Sequence, residues 1–247
     1  MTPQSRAIPV LLTRPAAQAD RFAAEMAERF GAALRPVASP LMAPVFLQPD
    51  LPVEPCAAVI LTSETGVEAA LRLRRAGAAL PDRALCVGDR TAAAARAAGF
   101  DAISAAGDAE ALIALILGDG KTLGADAPLV HLRGREARGD IAPRLTAAGV
   151  PTRSAIVYAQ EEVALSEEAR ALLDGGAPVL VPIFSPRSAQ LLAGQGPFAA
   201  PLWIASMSPA VARAAMGLTP ERHVTAARPE SGAMLDAIGA LIADPCA

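Results

Sequence analysis

Six places along the 247-residue chain put hydroxyl, glycine or arginine residues directly after a short apolar run. They are Thr13-Arg14 after IPVLL, Thr62-Ser63 after AVIL, Gly88-Asp89 with Thr91 after ALCV, Arg133-Gly134 after LVHL, Ser185 after VLVPIF, and Ser206 to Ser208 after LWIA. Where an apolar strand ends and a helix begins, hydroxyls and free backbone N–H groups face outward at the positive end of the helix, and a guanidinium can add a bidentate pair. The chemistry this favours is recognition of carboxylates or similar anions, with Arg14, Thr62, Ser63, Gly88, Thr91, Arg133, Gly134, Ser185 and Ser208 as the candidate binding residues. Helix capping accounts for each Ser or Thr equally well when taken singly. For Arg14 and Arg133 a surface ion pair is the plainer reading, and for Arg133 it prevails if Glu136 or Asp140 folds back on it.

Composition removes much of the rest. Lys121 is the only lysine, so Schiff-base and pyridoxal chemistry has one poor anchor. His131 and His223 are the two histidines, the first inside an apolar run and the second without neighbouring ligands. Cys56, Cys86 and Cys246 are scattered and odd in number, which reads as thiols of a reducing compartment rather than a zinc set or a disulfide framework. Little is left for His-based acid/base or metal chemistry. GDGKT, residues 118–122, lacks the upstream glycine of a phosphate loop and follows the helical run ALIALIL, so it reads as a helix stop and turn. A net charge of -3 gives no basic footprint for nucleic acid or anionic membrane. No apolar run approaches the roughly 18 residues of a membrane span, and an early charge argues against a secretion signal. A cytoplasmic protein is expected.

The elements that must position these residues are legible from periodicity. Hydrophobic residues make up 53% of the chain. Short apolar runs alternate with Ala-rich amphipathic stretches, as in parallel strands covered by helices. Phe22, Met26 and Phe30 share one helical face, and Gly31 is a helix stop. Glu161 to Arg170 reads as the solvated start of a helix capped by Ser166.

An internal repeat is also present. VILTSETGVEAAL (59–71) matches VPIFSPRSAQLL (181–192), LCVGDRTAAAA (85–95) matches WIASMSPAVARA (203–214), and LLTRP and VHLRG both end a strand with Arg. Two tandem domains fit this order. So does an interrupted arrangement, in which the stretches 35–55 and 152–163 cross between lobes, residues 1–36 with 163–247 form one domain, and 37–162 form the other.

Taken in order, LLTRPAAQA, LTSETGVEA, VGDRTAAAARAAGF, LRGREARGDIAPRLTAAGV with VYAQ, FSPRSA and SPAVA resemble the bacterial uroporphyrinogen-III synthase family. The resemblance runs from Leu11 to about Ile242. It implies two flavodoxin-like α/β domains of parallel sheet joined by a two-stranded linker, with the interrupted arrangement, and a monomer. Because two extended linkers, near Val37 to Phe46 and Thr152 to Val163, are the expected join, the orientation of the lobes is expected to vary. It implies the cyclisation of hydroxymethylbilane to uroporphyrinogen III, a lyase reaction of tetrapyrrole biosynthesis that expels water and inverts ring D without a cofactor. A transient contact with the upstream hydroxymethylbilane synthase is compatible with it.

The resemblance also assigns a role to Tyr158, the only tyrosine, as the group that faces the substrate cleft and assists departure of the hydroxyl. A phenol is ordinarily protonated at neutral pH and suits that task. Without the resemblance, Tyr158 reads as an amphipathic residue closing a strand edge. Many relatives carry Arg after this Tyr, where Ala159 stands here, so one carboxylate contact is expected to be absent or moved. The contrasting reading from the residues alone is a two-lobed module that binds or senses a small anion without chemistry.

Overall fold

The computed structural model describes residues 7–49, 51, 55–123, 127–136 and 139–243. Eleven strands and nine α-helices are assigned among them: β1 (Ile8–Leu12), α1 (Ala16–Phe30), β2 (Leu34–Ala38), β3 (Met42–Phe46), β4 (Ala58–Leu61), α2 (Glu64–Arg75), β5 (Arg83–Cys86), α3 (Asp89–Ala97), β6 (Asp101–Ser104), α4 (Ala109–Leu123), β7 (Leu129–Gly134), α5 (Ile141–Ala147), β8 (Thr152–Glu162), α6 (Glu167–Leu173), β9 (Val179–Ile183), α7 (Pro186–Gly194), β10 (Leu202–Ser206), α8 (Pro209–Ala215), β11 (Arg222–Thr225) and α9 (Ser231–Ala243). The chain forms two compact units. One runs to Ala43 and resumes at Glu162, and the other spans Pro44–Glu161.

The first unit holds a sheet in the order β11-β10-β9-β1-β2, all of whose pairs are parallel. Successive residues of β1 face opposite layers, because side chains alternate along a strand. Val10 and Leu12 pack with Phe22 and Met26 of α1 and with Met234 and Ile238 of α9. Leu11 packs on the other side with Leu173, Leu192 and Val211 of α6, α7 and α8. Gly31 ends α1 at φ 55°, a left-handed φ that costs a glycine nothing.

In the second unit the order is β3-β8-β7-β4-β5-β6. The pairs from β8 to β6 are parallel. The edge pair of β3 and β8 is antiparallel, since Leu47 N–H donates to Val157 O and Val163 N–H to Leu41 O. Val59 and Leu61 face Val67, Ala70, Ala92 and Ala95 of α2 and α3, whereas Ala58 and Ile60 face Leu112, Ile116, Ile141 and Leu145 of α4 and α5.

The repeat in the sequence has a spatial counterpart. Numbered within its own unit from β1, the first sheet has the order 2-1-3-4-5, that of flavodoxin. The second has the same order when counting starts at β7 and β8 and continues with β4, β5 and β6. Thus β4 matches β9, β5 matches β10 and β7 matches β1, the same pairs that the motifs link. The direction in which successive strands are added reverses between β1 and β9 in one unit and between β7 and β4 in the other, while the strands stay parallel. Open α/β sheets bind ligands at such switch points.

One sequence expectation is corrected. Residues 118–122 do not form a stop and turn, because α4 continues through them to Leu123. The helix is preceded by Asp108, whose carboxylate accepts the N–H groups of Glu110 and Ala111 at 3.0 and 3.1 Å. A long run stabilised at its start and packed along Leu112, Ile113 and Ile116 tolerates two glycines near its end. Cys246 and Arg138 lie outside the described residues. No helix among the described residues is long and apolar enough to cross a membrane.

Candidate active site

At the switch point of the second sheet, β4 ends in the half-buried pair Thr62 and Ser63. Ser63 is the N-cap of α2, its hydroxyl accepting the Gly66 N–H at 3.0 Å. The same oxygen lies 3.0 Å from the Tyr158 hydroxyl, although 95 residues separate the two in sequence. Tyr158 sits on β8, two strands from β4, and its side chain crosses the end of the intervening strand β7.

The local pairing of β7 and β8 makes that crossing feasible. Register runs from Leu129 opposite Thr152 to Arg133 opposite Ile156 and then jumps to Gly134 opposite Tyr158, leaving Val157 as the extra residue of a bulge. Arg135 N–H donates to Tyr158 O at 2.9 Å and locks the shifted register. A Cβ on Gly134 would lie 2.7 Å from Cε2 and Cζ of the Tyr158 ring. Arg133, beside it, is half-buried, with Nε donating to Gly134 O at 3.2 Å. Glu136 accepts the Gln160 N–H. Ala159 is buried, so the residue after Tyr158 points into the core and offers no carboxylate contact.

Further along the same rim, Gly88 caps α3 through backbone alone. Thr91 is buried and leaves Gly88 as the accessible member of that pair. Asp89 in the first turn of α3 accepts the Ser104 hydroxyl at 2.7 Å, which places a carboxylate where an anion would otherwise sit.

The first unit carries a matching rim at its own switch point. Arg14 follows β1, and its guanidinium stacks 3.9 Å from the centroid of Phe184, the residue after β9. Arg14 Nε and Nη2 also donate to Gln18 Oε1 at 3.3 and 3.0 Å. Ser185 caps α7 by accepting the Ser188 N–H at 3.1 Å, and the two hydroxyls are 2.8 Å apart. Ser208 caps α8 through Val211 N at 3.4 Å, and buried Ser206 meets His223 Nε2 at 2.9 Å. Capping therefore holds for Ser63, Ser185 and Ser208, and for Ser63 it coexists with the tyrosine contact. Phe184, Gln18 and Ser188 were not among the candidate residues, although the S-x-x-S spacing of Ser185 and Ser188 is a visible signal.

Other reactive groups are subdued. Burial pushes the Cys86 thiol up to about 11, with the Arg96 charge opposing it only in part. Burial, and then the Arg133 charge, hold His131 down at about 4, so its imidazole is neutral. Among the described residues no group of three or more His, Cys, Asp and Glu side chains could hold a metal ion. A recess of about 510 Å³ lined by Phe198, Leu202, Leu218 and Glu221 lies at the beginning of β10, the end of the sheet opposite the rim, and contains none of the candidate residues.

The geometry on both rims is that of fixed hydroxyl, backbone and guanidinium donors, with one phenol added in the second unit. Comparison with known proteins gives this arrangement a family. The uroporphyrinogen-III synthase HemD family matches residues 20–236. No curated protein sequence matches the chain. Among solved structures, uroporphyrinogen-III synthetase from Helicobacter pylori is 15% identical, covers 95% of this chain and 99% of its own, and superposes with a TM-score of 0.60, which shows a shared fold. A mutant uroporphyrinogen III synthase from Thermus thermophilus is 16% identical, with 96% and 99% coverage and a TM-score of 0.45. With the family match spanning most of its length, the chain belongs to the uroporphyrinogen-III synthase family.

Proposed function

We propose that this chain converts hydroxymethylbilane to uroporphyrinogen III, as a cofactor-independent lyase acting as a cytoplasmic monomer. The observation that carries this reading is the Tyr158 hydroxyl held at 3.0 Å from Ser63 on the rim of a parallel sheet. Donors at the strand ends meet the acetate and propionate arms: Arg14 and Arg133 as guanidinium groups, Thr62, Ser185 and Ser208 through hydroxyl or backbone N–H, and Ser63 and Gly88 through backbone N–H.

Tyr158 delivers its proton to the hydroxyl of the bilane's hydroxymethyl group, which leaves as water, and the carbon left behind becomes the electrophilic methylene of an azafulvene. The substituted α-carbon of ring D attacks that methylene and forms a spiro intermediate. The bond from that ring-D carbon to the methylene joining it to ring C then breaks, leaving that methylene electrophilic, and the unsubstituted α-carbon of ring D bonds to it, closing the macrocycle with ring D inverted. The α-hydrogen lost from ring D as it regains aromaticity balances the proton donated at the start. Such a substrate closes without inversion when unassisted, so the protein's main contribution is to restrict geometry.

The test is direct. Purified protein incubated with fresh hydroxymethylbilane, without metal or nucleotide, is expected to yield the inverted isomer and to be indifferent to chelator. A product mixture equal to the blank would replace the enzyme reading with that of an anion-binding module.

A further inference from the structure

We propose that Gly134 and Ser63 are positioning residues that set the location and proton direction of the Tyr158 hydroxyl. The inference rests on the reading of Tyr158 as proton donor. Adjacent strands are about 4.8 Å apart, so a side chain on β8 reaches the end of β4 only by lying across β7. Gly134 is the β7 residue beneath that path, and a Cβ there would come within 2.7 Å of Cε2 and Cζ and 2.9 Å of the hydroxyl oxygen. Ordinary carbon contacts are about 3.5–4.0 Å, so any side chain at 134 lifts the ring and takes its hydroxyl away from Ser63. Without the extra residue Val157 the register would set Arg135 opposite Tyr158, and the bulge sets Gly134 there instead.

Ser63 sets the direction of the proton. Its oxygen already accepts the Gly66 N–H at the start of α2, and a hydroxyl that accepts a bond becomes a better donor. The Ser63 proton therefore goes to the Tyr158 oxygen, and the phenol proton points away from Ser63 to the departing hydroxyl. The order Gly66 N–H, Ser63 O–H, Tyr158 O–H runs outward from the positive end of a helix.

Tyr158 is the only tyrosine, so ring-¹³C tyrosine labelling gives an NMR signal from this residue alone. Gly134→Ala is expected to shift that signal and to lower kcat about as far as Tyr158→Phe does, on the order of 10-fold or more, with KM changed less than about 3-fold. In the Gly134→Ala/Tyr158→Phe double variant the losses should not multiply. Ser63→Ala should lower kcat and shift the signal, and Ser63→Thr should restore both. Independent multiplication of the losses, or full activity in Gly134→Ala while Tyr158→Phe is impaired, overturns the positioning role. If Gly134→Ala does not fold, the Ser63→Ala and Ser63→Thr pair decides, since loss without rescue, or a loss that persists in the Tyr158→Phe background, rejects it. Full activity in Tyr158→Phe instead rejects the donor reading, and an unmoved tyrosine signal in both Gly134→Ala and Ser63→Ala then rejects the positioning on its own.

Discussion

The guanidinium of Arg14 lies 3.9 Å from the ring centroid of Phe184, which ties the loop after β1 to the residue after β9 across the switch point of the first sheet. Phe184 in turn meets Phe22 of α1 edge to face, with centroids 5.0 Å apart and ring planes at 85°. A core aromatic thereby anchors the ring that holds a surface cation, and the charged head is arranged before any anion arrives. A guanidinium placed in this way loses little freedom on binding a carboxylate.

Phe184→Leu should therefore weaken substrate binding while leaving the chemical step intact. The stacked cation is worth about 0.5–2 kcal/mol, so KM should rise roughly 2- to 30-fold with kcat within about 2-fold. Arg14→Lys should behave similarly, because a lysine keeps the charge but neither the planar stack nor the paired donation to Gln18. Steady-state kinetics on both variants is the check, and unchanged KM in both would remove Arg14 from substrate binding.

Tyr158→Phe tests the chemistry directly. Removing one general acid typically costs about 10²–10⁴-fold, and less is expected here because the hydroxyl departs readily even in water. The product should remain the inverted isomer, since in the proposed function the substrate's arms are assigned to other residues. Melting temperature should change little, because the ring and its contacts with the core stay. Isomer separation by chromatography and a thermal melt distinguish this outcome from a purely structural role.

Capping and binding can be separated at Ser185. Ser185→Ala removes the bond from Ser188 N–H and should lower stability by about 1 kcal/mol. Ser185→Asp keeps an acceptor at the cap but adds negative charge beside the rim. If Ser185 meets a substrate carboxylate, the Asp variant should be stable yet raise KM more than the Ala variant does. Equal KM values would leave Ser185 as a cap alone.

His131 predicts a pH dependence of stability. Its folded pKa is near 4, below the ordinary value of 6.5. Between those values the unfolded chain binds a proton that the folded chain does not. Stability should thus be full above pH 6.5 and fall as pH drops toward 4, by on the order of 3 kcal/mol across the window. Glu110, whose pKa is lowered mainly by its hydrogen bond from Arg144, loses its contribution only below its ordinary 4.5. Denaturant titrations of wild type and His131→Gln between pH 7 and 5 isolate the histidine, and equal slopes for the two proteins would refute the assignment.

The parts of this protein that the amino-acid sequence alone determined are those governed by neighbours a few residues apart. Phe22 and Met26 are buried on one face of α1 because a helix brings i and i+4 together. Ser63, Ser166, Ser185 and Ser208 cap their helices because the accepting oxygen reaches an N–H three residues ahead. The order of polar turns after apolar strands followed from the same local rules, and so did the repeat that relates β4 to β9 and β5 to β10. Local rules were weak for β6 and β11, short edge strands beginning with Asp101 and Arg222, whose assignment depends on pairing with β5 and β10. They misled at residues 118–122, where packing along α4 outweighs the helix-breaking tendency of glycine. Only the tertiary structure decided that Tyr158 crosses Gly134 to reach Ser63 and that Arg14 rests on Phe184. Each contact joins residues far apart in the chain, through strand adjacency and, for Tyr158, a one-residue bulge. Neither leaves a periodic trace in composition or spacing, because it is the order of strands in the sheet that makes those residues neighbours.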